Sequence, residues 1–366
     1  MKRNSRKCIA ISLILSLVLG TLPQLDTNAA EVIEETLVND DESTMLKTGW
    51  YEYDGYWYYY NDDGELQKDC FVEGYWLDSD GACRTTSVAC WKGDEGNWWY
   101  GDNTGWYAYD SWYKIDGNWY YFDLLGNMCY NCYVGGCYLD DDGIYHDNET
   151  TKWAADISDN ELAGYFSNAV IVGDSICSGF SMYCSSSSDP VARQFTFMAS
   201  GSFGVHNALS LSDTTPYYWG AQRPIWESIA YSGTDHVYIS MGINDTYDSD
   251  LASKYESLIG WIKQYSPGIK ITICSITGVQ WGHERGGINN ANINWLNNRI
   301  RAMCARNGYG FIDLNSWTTD GWGLYAGYCS DGFVHQTFSA YDRWLQAFKS
   351  YGRAELVKKY SDEQTD

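Results

Sequence analysis

The stretch Val172-Gly173-Asp174-Ser175-Ile176-Cys177 decides how the rest of the chain is read. The residues leading into it, Ala169 to Val172, are uninterruptedly apolar, the pattern of a buried strand. They stop at a Gly-Asp-Ser corner followed by residues able to start a helix. Such a corner exposes a serine hydroxyl at the carboxyl end of a strand, where open α/β sheets place their ligands. A helix starting at Ser175 also aims free backbone N–H groups at any anion that forms beside that hydroxyl. Taken alone, the same tripeptide is equally a strand closed by an Asp-Ser cap; the surrounding sequence separates the two readings.

Downstream, apolar strands alternate with helical patterns, the signature of a parallel sheet with crossovers. Expected strands are Ala169 to Val172, Gln194 to Ala199, His236 to Met241, Ile269 to Ser275 and Gly310 to Leu314. Expected helices are Ser175 to Tyr183, Leu251 to Tyr265, Asn290 to Asn307 and Ser339 to Lys358. Three further segments follow a strand or precede the last helix. Ser200-Gly201-Ser202-Phe203-Gly204-Val205-His206-Asn207 carries glycines that let backbone approach a ligand. Gly242-Ile243-Asn244-Asp245 places an amide able to donate two hydrogen bonds. Asp331-Gly332-Phe333-Val334-His335-Gln336-Thr337 supplies an acid and an imidazole. One sheet edge thus collects a hydroxyl, backbone and amide donors and an acid–base pair, the inventory of acyl transfer.

Gly-Asp-Ser, Gly-x-Asn-Asp and Asp-Gly…His-x-Thr, in this order, resemble the SGNH hydrolases, or GDSL-type esterases, over roughly residues 168–356. The resemblance implies a flavodoxin-like three-layer α/β/α domain with Ser175 as nucleophile, His335 as general base and Asp331 as the acid that orients it. It also implies an oxyanion hole formed by the Ser175 and Gly204 N–H groups and the Asn244 amide, with Gly201 as the alternative glycine. One departure stands out. The family spaces its Asp and His three apart, whereas Asp331 and His335 are four apart. A bulge at Gly332, a backbone carbonyl in place of the acid, or Asp320 as substitute acid would each accommodate it. His206 and His283 sit in loops, His236 opens a strand and His146 ends the repeats, so packed or solvated roles are expected for all four. No metal or other cofactor is expected, since no His/Cys/carboxylate cluster has metal spacing.

The first half reads differently. Lys2, Arg3, Arg6 and Lys7 precede the apolar stretch Ile9 to Leu19 and the small residues near Ala30, a secretory signal over 1–30; the stretch is too short to span a bilayer. A polar segment, 31–48, follows. From 49 to 146 the chain is dense in Trp, Tyr, Gly and Asp, and it repeats: Gly49-Trp50-Tyr51-Glu52-Tyr53-Asp54-Gly55-Tyr56-Trp57-Tyr58-Tyr59-Tyr60 returns as Ser111-Trp112-Tyr113-Lys114-Ile115-Asp116-Gly117-Asn118-Trp119-Tyr120-Tyr121-Phe122, 62 positions on. Asp-Gly pairs inside aromatic runs are the turn chemistry of short β-hairpins, which need stacked neighbours to be stable. Residues 147–162 read as a polar linker, and 163–366 as the α/β domain. A net charge of −24 argues against nucleic acid or anionic lipid as partner. The twelve cysteines, eleven of them beyond the signal, suit an oxidising compartment.

The repeats resemble the choline-binding, or cell-wall-binding, repeats of Gram-positive surface proteins, whose aromatic side chains build cages for quaternary ammonium groups. The resemblance places Trp50, Trp57, Tyr58, Trp112, Trp119 and Tyr120 as cage walls, and a wall polymer (choline-bearing teichoic acid or a glycan) as partner. The expectation is therefore a secreted, wall-associated serine esterase that removes small acyl groups, acetyl foremost, from carbohydrate. Two rivals stand beside it: a sugar O-acyltransferase using the same residues, and an adhesive wall-binding protein with an inactive hydrolase domain.

Overall fold

A computed structural model describes residues 46–93, 97–134, 137–146 and 156–365. The expected signal peptide and most of the expected linker lie outside the described residues, as do Gly96, Gly135 and Gly136. The chain divides into two compact units, Met1–Trp91 and Lys92–Asp366. The first copy of the aromatic repeat lies in the first unit, and the second copy in the second unit with the α/β domain.

In the first unit, β1 (Gly49–Tyr53) and β2 (Tyr56–Tyr60) form a hairpin, as do β3 (Cys70–Val72) and β4 (Tyr75–Leu77). Asp54 and Gly55 both have positive φ, +51° and +78°, the requirement of a two-residue turn that follows the strands' twist. That turn pairs Tyr53 with Tyr56 and so fixes every side chain's face. A second device recurs beyond the hairpins. One side-chain oxygen of Asn61, and likewise of Asp78, accepts the N–H groups two and four residues on, at 2.8–3.1 Å, while the glycine three residues on takes positive φ. In the second unit Asp102, Asp123 and Asp140 knot their turns the same way. The Asp-x-x-Gly element of the repeat is therefore a hydrogen-bonded loop built by its own carboxylate.

The second copy contains β5 (Ser111–Ile115) paired with β6 (Asn118–Phe122), and β7 (Cys132–Val134) paired with β8 (Cys137–Leu139). It is packed on the α/β domain: Tyr138 joins that domain's core, and Asn131 and Asp141 bond Glu355 and Lys358 of its last helix.

The α/β domain begins earlier than the composition suggested. Ser158 and Glu161 form a reciprocal capping box that starts α1 (Asp159–Tyr165) inside the stretch read as linker. There follow β9 (Ala169–Gly173), α2 (Ser175–Ser186), β10 (Thr196–Ala199), α3 (Ile225–Ser232), β11 (His236–Ser240), α4 (Leu251–Tyr265), β12 (Lys270–Cys274), α5 (Asn290–Asn307), β13 (Gly310–Ile312), α6 (Leu314–Thr318) and α7 (Phe338–Thr365). The last strand stops short of Leu314 because Asp313 caps a helix there, accepting from the Ser316 N–H. The sheet is parallel, with order β10-β9-β11-β12-β13, the doubly wound order of flavodoxin-like folds. β9 and β11 are buried along their whole lengths, because helices cover both faces. On one face α1 and α2 pack with α7 around Phe166, Phe180, Phe195, Tyr238 and Phe348; on the other, α3, α4 and α5 pack together. No helix of the described residues is long and apolar enough to cross a membrane.

The contact of α2 with α7 is close enough to test. The Tyr341 hydroxyl donates to the Ile176 carbonyl at 2.9 Å, and a Cβ on Gly179 would lie 2.0 Å from that hydroxyl oxygen. Gly179→Ala is expected to destabilise the domain by about 1–3 kcal/mol in denaturant titrations. Adding Tyr341→Phe should recover part of that loss, a non-additivity that marks the two groups as touching.

Candidate active site

Ser175 is the first residue of α2. Asp174, buried at its N-cap, accepts from the Ile176 and Cys177 N–H groups and holds the corner rigid. Burial pushes the Asp174 carboxyl up to about 7, against the pull of those two hydrogen bonds. No acceptor among the described residues takes the Ser175 N–H, which stays available at the helix end. Gly173 is required here: a Cβ would lie 2.2 Å from that of Cys177 and 2.7 Å from the Ser240 carbonyl.

His335 Nε2 lies 3.0 Å from Ser175 Oγ, and His335 Nδ1 lies 2.6 Å from Asp331 Oδ2. The four-residue spacing is absorbed at Gly332, whose φ is +70°. The loop closes around the carboxylate, with Asp331 Oδ1 accepting the N–H groups of Phe333, Val334 and His335 at 2.8, 3.0 and 3.2 Å. Burial alone would raise the Asp331 carboxyl. The His335 ring and the Phe333 and His335 N–H groups outweigh it and hold the group at about 2. Asp320 is engaged elsewhere, its Oδ1 accepting from Trp322 N at 3.0 Å and Gly323 N at 3.1 Å.

Strand pairing brings the other loops to the same edge, since Gly173 is in register with both Ala199 of β10 and Ser240 of β11. Asn244 donates through Nδ2 to the Phe203 carbonyl at 3.0 Å, which ties its loop to Gly204 and leaves the second amide hydrogen for another acceptor. The Gly204 N–H, expected as an oxyanion donor, is taken by Asn207 Oδ1 at 2.8 Å, because Asn207 folds back to cap the helical turn Val205–Ala208. Gly201 is exposed with open space around it.

The residue that the sequence reading passed over is Asp245. Fully buried, it accepts from Val205 N and His206 N, both at 2.9 Å, and from His206 Nδ1 at 2.5 Å. A Cβ on Gly204 would come within 2.6 Å of its Oδ2, so this carboxylate dictates the glycine. Its signal was adjacency to Asn244. Of the remaining histidines, His236 is packed between Tyr238 and Thr272, with burial and then the Lys270 charge pushing it down to about 3. His283 sits beside Gly332, and His146 pairs with Asp140 at 2.7 Å. A hydroxyl on an imidazole, a carboxylate behind it and donors on a neighbouring loop can carry out acyl transfer.

In the hairpins, alternation corrects two expected cage residues. Trp50 and Trp57 share one face of the first hairpin, because Trp50 pairs with Tyr59 and Glu52 with Trp57; Tyr58 pairs with Tyr51 on the other face. Trp112 and Trp119 likewise share a face, while Tyr120 points the other way and is buried. Tyr75 packs beside Trp50 in the first unit, with ring centroids 5.7 Å apart. Trp50, Trp57 and Tyr75 line a pocket of about 430 Å³, and the Arg84 guanidinium stacks 5.0 Å over Tyr56 at its rim. In the second copy Tyr145 packs on Trp112, at 5.6 Å.

Asp331→Asn is expected to cost far more activity than Asp320→Asn, since an amide facing Nδ1 can impose the wrong imidazole tautomer. Asp331 carries its charge at every pH above about 3, its carboxyl being held at about 2. The acid limb of the pH–rate profile should therefore carry no titration from Asp331, and Asp331→Asn should lower the plateau.

Residues 171–343 match the GDSL-like lipase/acylhydrolase family. No curated protein matches the chain. Among solved structures, a GDSL-like lipase from Bacteroides thetaiotaomicron is 17% identical, with a TM-score of 0.41 over 58% of this chain and 97% of that one. A carbohydrate esterase family 3 protein from Talaromyces cellulolyticus is 13% identical, with a TM-score of 0.37 over 53% and 98%. A choline binding domain from Streptococcus pneumoniae is 25% identical, with a TM-score of 0.15 over 27% and 95%. The second half of the chain, with its doubly wound sheet and its serine, histidine and aspartate at one edge, is an SGNH-type hydrolase domain.

Proposed function

We propose that the protein is a secreted, wall-associated serine esterase that removes small acyl groups, acetyl foremost, from carbohydrate. The observation that carries the catalytic part is the unbroken line Asp331–His335–Ser175, with gaps of 2.6 and 3.0 Å. His335 Nε2 takes the Ser175 proton as Oγ bonds the ester carbon. The same nitrogen then returns it to the leaving oxygen as the C–O bond breaks, and water releases the acid in a mirrored second half. The oxyanion is met by the Ser175 N–H and the second Asn244 amide hydrogen, the Gly204 N–H being held by Asn207. Ser175 is half-buried, and His335 and Asp331 are exposed, so the site lies open to a substrate that is part of a polymer.

Ser175→Ala should abolish turnover of 4-nitrophenyl acetate without lowering the unfolding temperature, and near wild-type turnover would remove this mechanism.

The repeats are the wall anchor in this reading. The Trp50–Trp57–Tyr75 pocket offers three aromatic walls, and Glu73, which accepts from Trp50 Nε1 at 3.1 Å, adds a negative charge nearby, a setting for a quaternary ammonium group. The full chain should be retained on a choline matrix and eluted by free choline. Trp57→Ala, at an exposed position, should weaken retention by about 1–2 kcal/mol. Retention that ignores choline but yields to soluble glycan would keep the anchor and change its ligand.

A further inference from the structure

Beside the catalytic loop the surface carries two large aromatic rings that are mostly exposed. Trp281 is 63% exposed and Trp322 71% exposed. Their ring centroids are 6.2 Å apart and their planes meet at 59°, so they form an open corner with one ring as floor and the other as wall. The corner is tied to the catalytic histidine through backbone. The Val279 carbonyl accepts from Leu324 N at 2.9 Å, and Gln280 N donates to the Phe333 carbonyl at 2.9 Å. Trp281 is thus one residue from a group laced to the segment that ends in His335, and Trp322 is two residues from Leu324, which is laced to the Trp281 segment at Val279. On the Trp322 side the turn is fixed by Asp320 through its bonds to Trp322 N and Gly323 N. His283, two residues past Trp281, sits against Gly332.

Position relative to the reaction says which part of the substrate would lie there. His335 hands its proton to the leaving oxygen, so the alcohol portion of the ester must sit on the His335 side. The acyl oxygen must sit toward the Ser175 N–H and Asn244. A corner on the His335 side therefore meets the alcohol. An alkyl chain is held best by an enclosed apolar channel. Two flat indoles set open to water suit a ligand with one apolar C–H face and a hydroxyl rim, which is the shape of a pyranose ring. The negative ring face attracts the partly positive C–H groups, while the sugar's hydroxyls stay hydrated.

We propose that Trp281 and Trp322 form a pyranose platform that seats the sugar alcohol of the substrate, with Asp320 as the positioning residue for Trp322. This rests on the esterase reading above and names what sets its specificity. The test uses the full chain and three acetyl esters: a methyl 6-O-acetyl-glucopyranoside, ethyl acetate and hexyl acetate. In the Trp281→Ala/Trp322→Ala variant the kcat/KM ratio of the sugar ester to ethyl acetate should fall at least tenfold, through KM more than kcat. Trp281→Phe/Trp322→Phe, which keeps the rings, should hold most of the ratio. Calorimetric binding of the sugar ester to Ser175→Ala protein, with and without the two alanines, reads the platform without the chemistry. If no ester is turned over but the alanines still abolish that binding, the esterase reading falls and the platform stands. A ratio changed by less than twofold together with unchanged binding overturns the platform, as does an equal loss on hexyl acetate, which would mark a general apolar patch.

Discussion

Everything at the catalytic edge depends on the double burial of β9. With β10 and β11 on its two sides and helices over both faces, the strand admits no polar side chain from Ala169 to Val172. The first residue past its carboxyl end to meet solvent is Ser175, with Asp174 buried beneath it as the helix cap. Because neighbouring strands run parallel and in register, their own departures, the loops holding Gly204 and Asn244, leave at the same level. A parallel sheet thus concentrates chemistry at one edge with no separate device for each residue.

Three carboxylates then hold that edge in shape, each in a different way. Asp174 caps α2 from a buried position, and Asp245 gathers two backbone N–H groups and an imidazole beneath Gly204. Asp331 divides its oxygens, one for three loop amides and one for His335. The division explains how a spacing one residue longer than the family's still delivers an oriented ring. The carboxylate organises its own loop, Gly332 takes the left-handed turn, and the second oxygen is left pointing at Nδ1. A carboxylate with this many donors stays ionised, and an ionised partner stabilises the imidazolium formed on proton transfer.

The repeats solve a different problem with the same residue types. Short hairpins have little backbone pairing, so the Asp or Asn after each one accepts the N–H groups two and four residues on, and a glycine closes the turn. Acidic residues in the aromatic half are in part structural for this reason. Each uses one oxygen for backbone donors, while Asp78 and Asp140 turn the other toward Arg84 and His146.

Local chemistry along the chain was enough to specify the sheet's direction, the helices over Leu251–Tyr265 and Asn290–Asn307, the hairpin turns, and the motifs from which Ser175, Asn244, Asp331 and His335 were singled out. Apolar period, capping residues, and glycines or aspartates where φ must be positive carry that information. Short-range pattern was a poorer guide where polar residues start a helix, as at Ser158, and where a strand gives way to a cap at Asp313. Pairing register, set by the Asp54-Gly55 and Asp116-Gly117 turns, was what moved Tyr58 and Tyr120 off the faces of their tryptophans. Four other features emerge only when the chain is folded: Asp331 and not Asp320 faces His335, Asn207 occupies the Gly204 N–H, Asp245 underlies the loop, and the second repeat packs on α7. The physical reason is common to all four. Each is a choice among several acceptors, donors or surfaces of similar intrinsic strength, and the choice is made by distance between segments once they are packed together, which composition and spacing do not encode.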